Sequence, residues 1–228
     1  MANKENTAGP IKKIVLALLL IGPASLLLLI SNKGCEHKFK ELDVMGEIPA
    51  YTFVDAHGRK YTNASFKDDI VVYTTLQETC PDSCAVNMWM IEQQIYRHIR
   101  QDKRKAGMIK IVSFVTDANG KPVSDLSDME FIMKDNINNY NPDIWILAKG
   151  DPEKVYNIER NGKNLIQGGA EFFGGKSYLE LMLLSDRSNK LRMVLKGNEE
   201  GMVRTMNQHI ALLKKQYDKE NYKKNHTK

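Results

Sequence analysis

Cys80-Pro81-Asp82-Ser83-Cys84 follows closely on the apolar run Ile70, Val71, Val72 and Tyr73, and that junction constrains the fold more than any other stretch of the chain. The run reads as a buried strand and Ala85 to Arg100 as a helix. The two thiols therefore stand where a strand hands on to a helix, which belongs to a sheet with helices packed over it. Backbone N–H groups and the helix dipole favour a thiolate at such a place. Cysteines at i and i+4 can be bridged by a disulfide or can share one soft metal ion. The spacing points to redox chemistry, copper chemistry or both.

The flanking sequence builds the rest of the sheet. Tyr51 to Val54 and Lys60 to Thr62 flank Asp55-Ala56-His57-Gly58 and read as a hairpin. Met108–Val115 and Asp143–Leu147 are further strands, each followed by a helix. One helix runs from Ser124 to Asn136, with Ser124 or Asp125 as N-cap; the other opens on Asp151-Pro152-Glu153, with proline at its first position. Asn161 to Gly175 is a Gly-rich loop, read either as mobile or as a partner-docking flap carrying Phe172 and Phe173. Tyr178–Leu184 and Leu191–Leu195 read as a closing hairpin, and Gly201 to Tyr217 as an amphipathic helix with Met202, Val203, Met206, Ile210, Leu213 and Tyr217 on one side. Strands alternating with helices give an α/β sheet covered on both faces, with the site beyond the C-terminal ends of the strands.

The N-terminal segment sets the compartment. Ile14 to Ile30 is uncharged and Leu-rich, near the lower limit for spanning a bilayer core. Lys12 and Lys13 before it place the N-terminus inside and the remainder outside. The expected organisation is a cytoplasmic segment 1–10, a transmembrane anchor 11–31, a linker 32–47, one domain 48–217 and a lysine-rich solvated tail 218–228. A cleaved signal peptide and lipidation at Cys35 are the alternatives, although Ser31-Asn32-Lys33-Gly34 offers no good cleavage site. The net charge of +5 forms no basic stripe interleaved with stacking aromatics, which argues against nucleic acid. Ala170 to Ser177 approaches a phosphate-binding loop but lacks its first glycine and precedes a strand, which argues against nucleotide.

The order hairpin, strand–CxxxC–helix, strand, helix, strand, hairpin, helix resembles a thioredoxin-like fold, a central mixed sheet with flanking helices and an N-terminal hairpin. Thr75-Leu76-Gln77-Glu78-Thr79-Cys80-Pro81-Asp82-Ser83-Cys84 is similar to the signature of the Sco/SenC family. Ser113–Asp117, Asn141–Glu153 and the closing hairpin and helix support the resemblance, which covers roughly residues 45–217. It implies a single-pass protein of the bacterial inner membrane with its C-terminal domain in the periplasm. It also implies copper delivery to the CuA site of cytochrome c oxidase, with subunit II or another periplasmic thiol or copper client as partner, and thiol reduction through Cys80 and Cys84.

The same alignment places Ser177 where the family carries a histidine ligand, and no histidine lies between His98 and His209. His98 is fourteen residues beyond Cys84 on one helix, about 21 Å at ~1.5 Å per residue. His57 reads as a turn residue, His209 as a surface or half-buried one, and His226 lies in the tail. Met88 offers a soft thioether one turn after Cys84, although Met88 and Met90 beside Trp89 also suit core packing. Two thiolates suffice for Cu(I), whereas Cu(II) prefers imidazole and harder donors. The expectation is a Cu(I) metallochaperone, a thiol-disulfide reductant, or both. The alternatives are a general thiol-disulfide oxidoreductase and a non-catalytic module with a structural disulfide.

Overall fold

A computed structural model describes residues 9–32, 41–79, 86–160, 163–164 and 177–226. Two compact units divide at Lys40. The first holds helix α1, Pro10–Asn32, which runs through Pro23. Its leucines from Leu16 to Leu27 are exposed wherever described. Among the described residues, no helix is long and apolar enough to cross a membrane.

The second unit is an eight-stranded mixed sheet. Its strands are β1 (Gly46–Glu47), β2 (Thr52–Asp55), β3 (Lys60–Thr62), β4 (Ile70–Gln77), β5 (Ile109–Thr116), β6 (Trp145–Lys149), β9 (Leu181–Ser185) and β10 (Lys190–Lys196), in the order β1-β10-β9-β4-β5-β6-β2-β3. β7 (Glu159–Arg160) and β8 (Lys163–Asn164) pair separately. β4, β5 and β6 are parallel, β9 lies antiparallel beside β4, and β10 pairs antiparallel with β9 on its far side. The helices are α2 (88–100), α3 (Lys103–Ala106), α4 (Ser127–Asn136), α5 (Pro152–Tyr156), α6 (Ser177–Glu180) and α7 (Glu200–His226). This is the expected thioredoxin-like plan, with the cysteine segment leaving the C-terminal end of central strand β4.

Alternation along β4 divides its side chains between two cores. Ile70, Val72 and Leu76 join Ile91, Ile95 and Ile99 of α2 and Val203, Met206 and Leu213 of α7. Val71 and Tyr73 point the other way, towards Tyr51, Phe53, Phe114, Tyr156 and Tyr178. That is the period of two that a strand buried on both faces imposes.

Several boundaries differ from the sequence reading. Helix α2 starts at Met88 rather than Ala85 because Asn87 caps it, its side chain accepting from Met90 N at 3.2 Å. A π turn, Glu92–Tyr96, interrupts it. Helix α4 starts at Ser127, with Leu126 at the N-cap and no side-chain cap bond. Asp125 instead folds a turn before it, accepting from the backbone N–H groups of Leu126 and Ser127. β6 begins at Trp145, since the N–H groups of Ile144 and Trp145 are taken by the Asn141 carbonyl. Tyr178–Glu180, expected as strand, is a helical turn, and the strand begins at Leu181. Part of the expected linker joins the sheet: β1 pairs with β10, and Arg192 Nη1 donates to the Leu42 carbonyl at 2.6 Å. Helix α7 continues beyond Tyr217 to His226. The Gly-rich stretch falls largely outside the described residues, as do Phe172, Phe173 and Cys35.

Candidate functional site

Cys80 and Cys84 lie outside the described residues; the structure describes what brackets them. The approach to the cysteine segment is fixed at the end of β4. Glu78 N donates to the Thr116 carbonyl at 2.8 Å, and Gln77 Nε2 to the Ala118 carbonyl at 3.3 Å. Two residues before Gln77, the buried Thr75 hydroxyl donates to the Tyr178 carbonyl at 2.7 Å. A threonine hydroxyl buried at 1% exposure carries a desolvation cost unless it is paired. This bond therefore favours one position of residue 178 relative to β4.

The exit is fixed by β10. Asn87 N donates to the Gly197 carbonyl at 3.2 Å, and Gly197 N donates to the Glu180 carbonyl at 2.7 Å. Gly197 has no room for a side chain, since a Cβ there would meet Val86 Cγ2 at 2.9 Å. Helix α6 thus reaches both sides of the cysteine segment, bonding β4 through the Tyr178 carbonyl and, through Gly197, the approach to α2. Ser177 is the first residue of this helix. The element that the alignment singled out is bonded to Thr75 before the cysteines and, through Gly197, to Asn87 after them.

Tyr178 anchors α6 from below. Its side chain is 3% exposed, its ring packs edge-on against Tyr156, and its hydroxyl donates to the Gly120 carbonyl at 3.1 Å. Burial pushes this hydroxyl above its ordinary value, and the charges of Glu153 and Asp151 push the same way, so it stays a donor at neutral pH. Tyr156 is raised by burial too and donates to the Leu181 carbonyl at 2.7 Å. Both bonds tie the turn and its strand to the surrounding backbone.

The sequence-predicted candidates separate clearly. Met88 is half-buried and packs on the aliphatic core, as Met90 does. Trp89 between them is 52% exposed, a large aromatic surface at the start of the helix that follows the cysteines. His98 is exposed on α2. His57 sits in the β2–β3 turn, its Nε2 3.7 Å from Glu130 Oε1. That turn leads away along β6 from Lys149 towards the strand's start, since Val54 opposes Lys149 and Asp55 opposes Ala148. His209 is half-buried on α7, and burial lowers its pKa. Among the described residues, no three His, Cys, Asp or Glu side chains gather as a metal site.

With Asn87 as cap, Cys84 precedes the cap by three residues, so the first turn of α2 starts farther from the thiols than the sequence reading placed it. The bond between Thr75 and Tyr178, the close packing at Gly197 and the exposure of Trp89 escaped that reading. Thr75 and Tyr178 are 103 residues apart, beyond the reach of any local pattern.

No protein-family model matches the chain, and no curated protein matches it. Solved structures do. A protein from Aquifex aeolicus VF5 with a proposed role in electron transport is 12% identical with a TM-score of 0.51, over 75% of this chain and 96% of that one. The soluble domain of Sco1 from Bacillus subtilis is 13% identical with a TM-score of 0.44, over 75% of this chain and 97% of its own. Yeast Sco1 with copper bound is 11% identical with a TM-score of 0.45, over 73% and 93% of the two chains. At 12% identity and a TM-score of 0.51, the likeness to the Aquifex aeolicus protein is one of fold.

Proposed function

We propose that the chain is a membrane-tethered, Sco-like protein whose Cys80 and Cys84 carry Cu(I) or reducing equivalents to a periplasmic client in respiratory oxidase assembly, the CuA-bearing subunit II being the client the motif suggests. The observation that supports this reading is the end of β4 at Gln77, three residues before Cys80 in the sequence, in a thioredoxin-like sheet where α6 is bonded to β4 and, through Gly197, to Asn87 beyond Cys84. Segment 11–31 is the tether in this reading; its uncharged run and the exposed leucines of α1 support that role.

Copper is cargo here. Two thiolates are soft donors that satisfy Cu(I) at low coordination, and Ser177 at the family's histidine position supplies only a hard hydroxyl. The dithiol needs no third ligand for its other reaction. One thiolate attacks a client disulfide, the second displaces the client thiol, and two electrons pass to the client while Cys80 and Cys84 close as a disulfide. Redox chemistry thus survives the loss of the imidazole intact, and metal chemistry survives it for the softer ion.

Titration of the reduced full chain tests this reading. One Cu(I) should bind per chain, and Cys80→Ser or Cys84→Ser should abolish its retention. Cu(II) should bind weakly, and Ser177→His should raise Cu(II) affinity more than Cu(I) affinity. Tight, thiolate-coloured Cu(II) binding by the unmodified chain would contradict the proposal.

A further inference from the structure

Thr116 is the last residue of β5, at the end of the sheet where the chain leaves β4 towards the cysteines, and it is fully buried. It lies opposite Gln77 in the parallel ladder, and its carbonyl accepts from Glu78 N at 2.8 Å. By the alternation of β5 its side chain shares the aromatic face with Val112 and Phe114, as Thr75 on β4 shares it with Val71 and Tyr73. The Thr116 hydroxyl oxygen, Oγ1, has no hydrogen-bond partner among the described residues. The polar groups at this end of the sheet are committed elsewhere. The Thr75 hydroxyl donates to the Tyr178 carbonyl, the Tyr178 hydroxyl to the Gly120 carbonyl and the Gln77 amide to the Ala118 carbonyl. Pro122, which bridges to Thr116, has no N–H to give. A hydroxyl in this setting is costly to bury unless something accepts its proton.

We propose that the acceptor is the sulfur of Cys80, to which the Thr116 hydroxyl donates when the thiol is ionised. Cys80 follows Glu78 by two residues, so its Cα lies within ~7 Å of the Glu78 Cα by chain length alone, and Glu78 is bonded to Thr116. Cys84 is four residues farther along the chain. A thiolate is a charged acceptor and bonds an O–H donor strongly, whereas a thiol or a disulfide sulfur accepts weakly. The bond therefore favours the ionised form and lowers the Cys80 pKa. Two thiols that the proposed function treats alike become distinct: Cys80 is the one that attacks a client disulfide, and Cys84 the one that resolves the mixed disulfide. The inference rests on the reading of Cys80 as a working thiol.

Alkylation of the full chain carrying Cys84→Ser tests it, with iodoacetamide as the probe and the peptide that contains Cys80 followed by mass across a range of pH. Thr116→Val keeps the side chain's shape and removes the hydroxyl. It should raise the Cys80 pKa by about one unit, roughly a tenfold loss of thiolate at any pH below both values. Thr116→Ser keeps the hydroxyl and should leave the pKa unchanged. With both cysteines present, Thr116→Val should lower the melting temperature of the reduced chain at pH ~8 relative to that of the oxidised chain, since only the reduced chain carries the thiolate. A change in packing alone would move both alike. An unchanged Cys80 pKa in folded Thr116→Val overturns the proposal, and so does an equal rise in Thr116→Ser. If the valine variant does not fold, Thr116→Ala replaces it and is read in the same way. The pKa is measured on a single thiol, so a pair that never cycles in glutathione buffers would sink the dithiol reading without deciding this one.

Discussion

One face of the sheet is closed by helices and the other by short segments, and the side chains differ accordingly. Under α2, α4 and α7 the core is mostly aliphatic, with Tyr96 and Trp145 as the aromatic exceptions. On the opposite face Tyr51, Phe53, Phe66, Tyr73, Phe114, Tyr156 and Tyr178 pack together, with Tyr156 coming from α5 and Tyr178 from α6. Long helices bring their own satisfied backbones and need only apolar surface against them. Short segments leave carbonyl groups facing the core, and tyrosine fills volume while its hydroxyl reaches one of them. Tyr156 and Tyr178 do this, donating to the carbonyls of Leu181 and Gly120. The helical face is the stability reserve, and the aromatic face sets the position of α6.

The largest effect that separates the two faces is expected from Ile95→Ala on the helical side, where Ile95 is fully buried. Removing that much buried side chain costs about 2–5 kcal/mol. It should lower the denaturation midpoint without changing the rate at which the native protein's Cys80 and Cys84 react with a thiol reagent. A tenfold change in that rate under native conditions would break the comparison.

A smaller change in stability is expected from Tyr178→Phe, which keeps the ring and removes the bond to the Gly120 carbonyl. The loss should be about 0.5–1.5 kcal/mol, yet the thiol reaction rate should shift more than in Ile95→Ala. Equal rates in the two variants would show that the aromatic face does not control the site.

The smallest effect concerns pH. Burial holds the His209 pKa below its ordinary value, so the unfolded chain binds the proton more readily than the folded one. His209 should therefore leave stability unaffected well above pH ~6.5 and reduce it as pH falls below that value. Thermal melts between pH 5 and 8 should show a decline at the acidic end that is shallower in His209→Gln. An equal decline in both proteins would locate the sensitivity elsewhere.

The parallel strands and the two hairpins were legible because alternation and turn residues are local signals. Tyr178–Glu180 misled because Tyr-Leu-Glu-Leu-Met-Leu alternates like a strand, whereas the conformation is decided by a hydroxyl on β4 and a carbonyl at Gly120. β1 is two residues long and shows no pattern of its own; its place is set by pairing with β10. The end of α7 reads as a fraying tail by hydropathy, but i,i+4 pairs such as Lys214–Asp218 sustain the helix.

The central claim is that Cys80 and Cys84 work as a reversible dithiol, and their reduction potential tests it most directly. Equilibration of the full chain with glutathione or thioredoxin buffers should give a midpoint above about −300 mV, in the range of pairs that cycle. A midpoint well below that value would mark the bond as a permanent staple and would contradict both the carrier and the reductant readings.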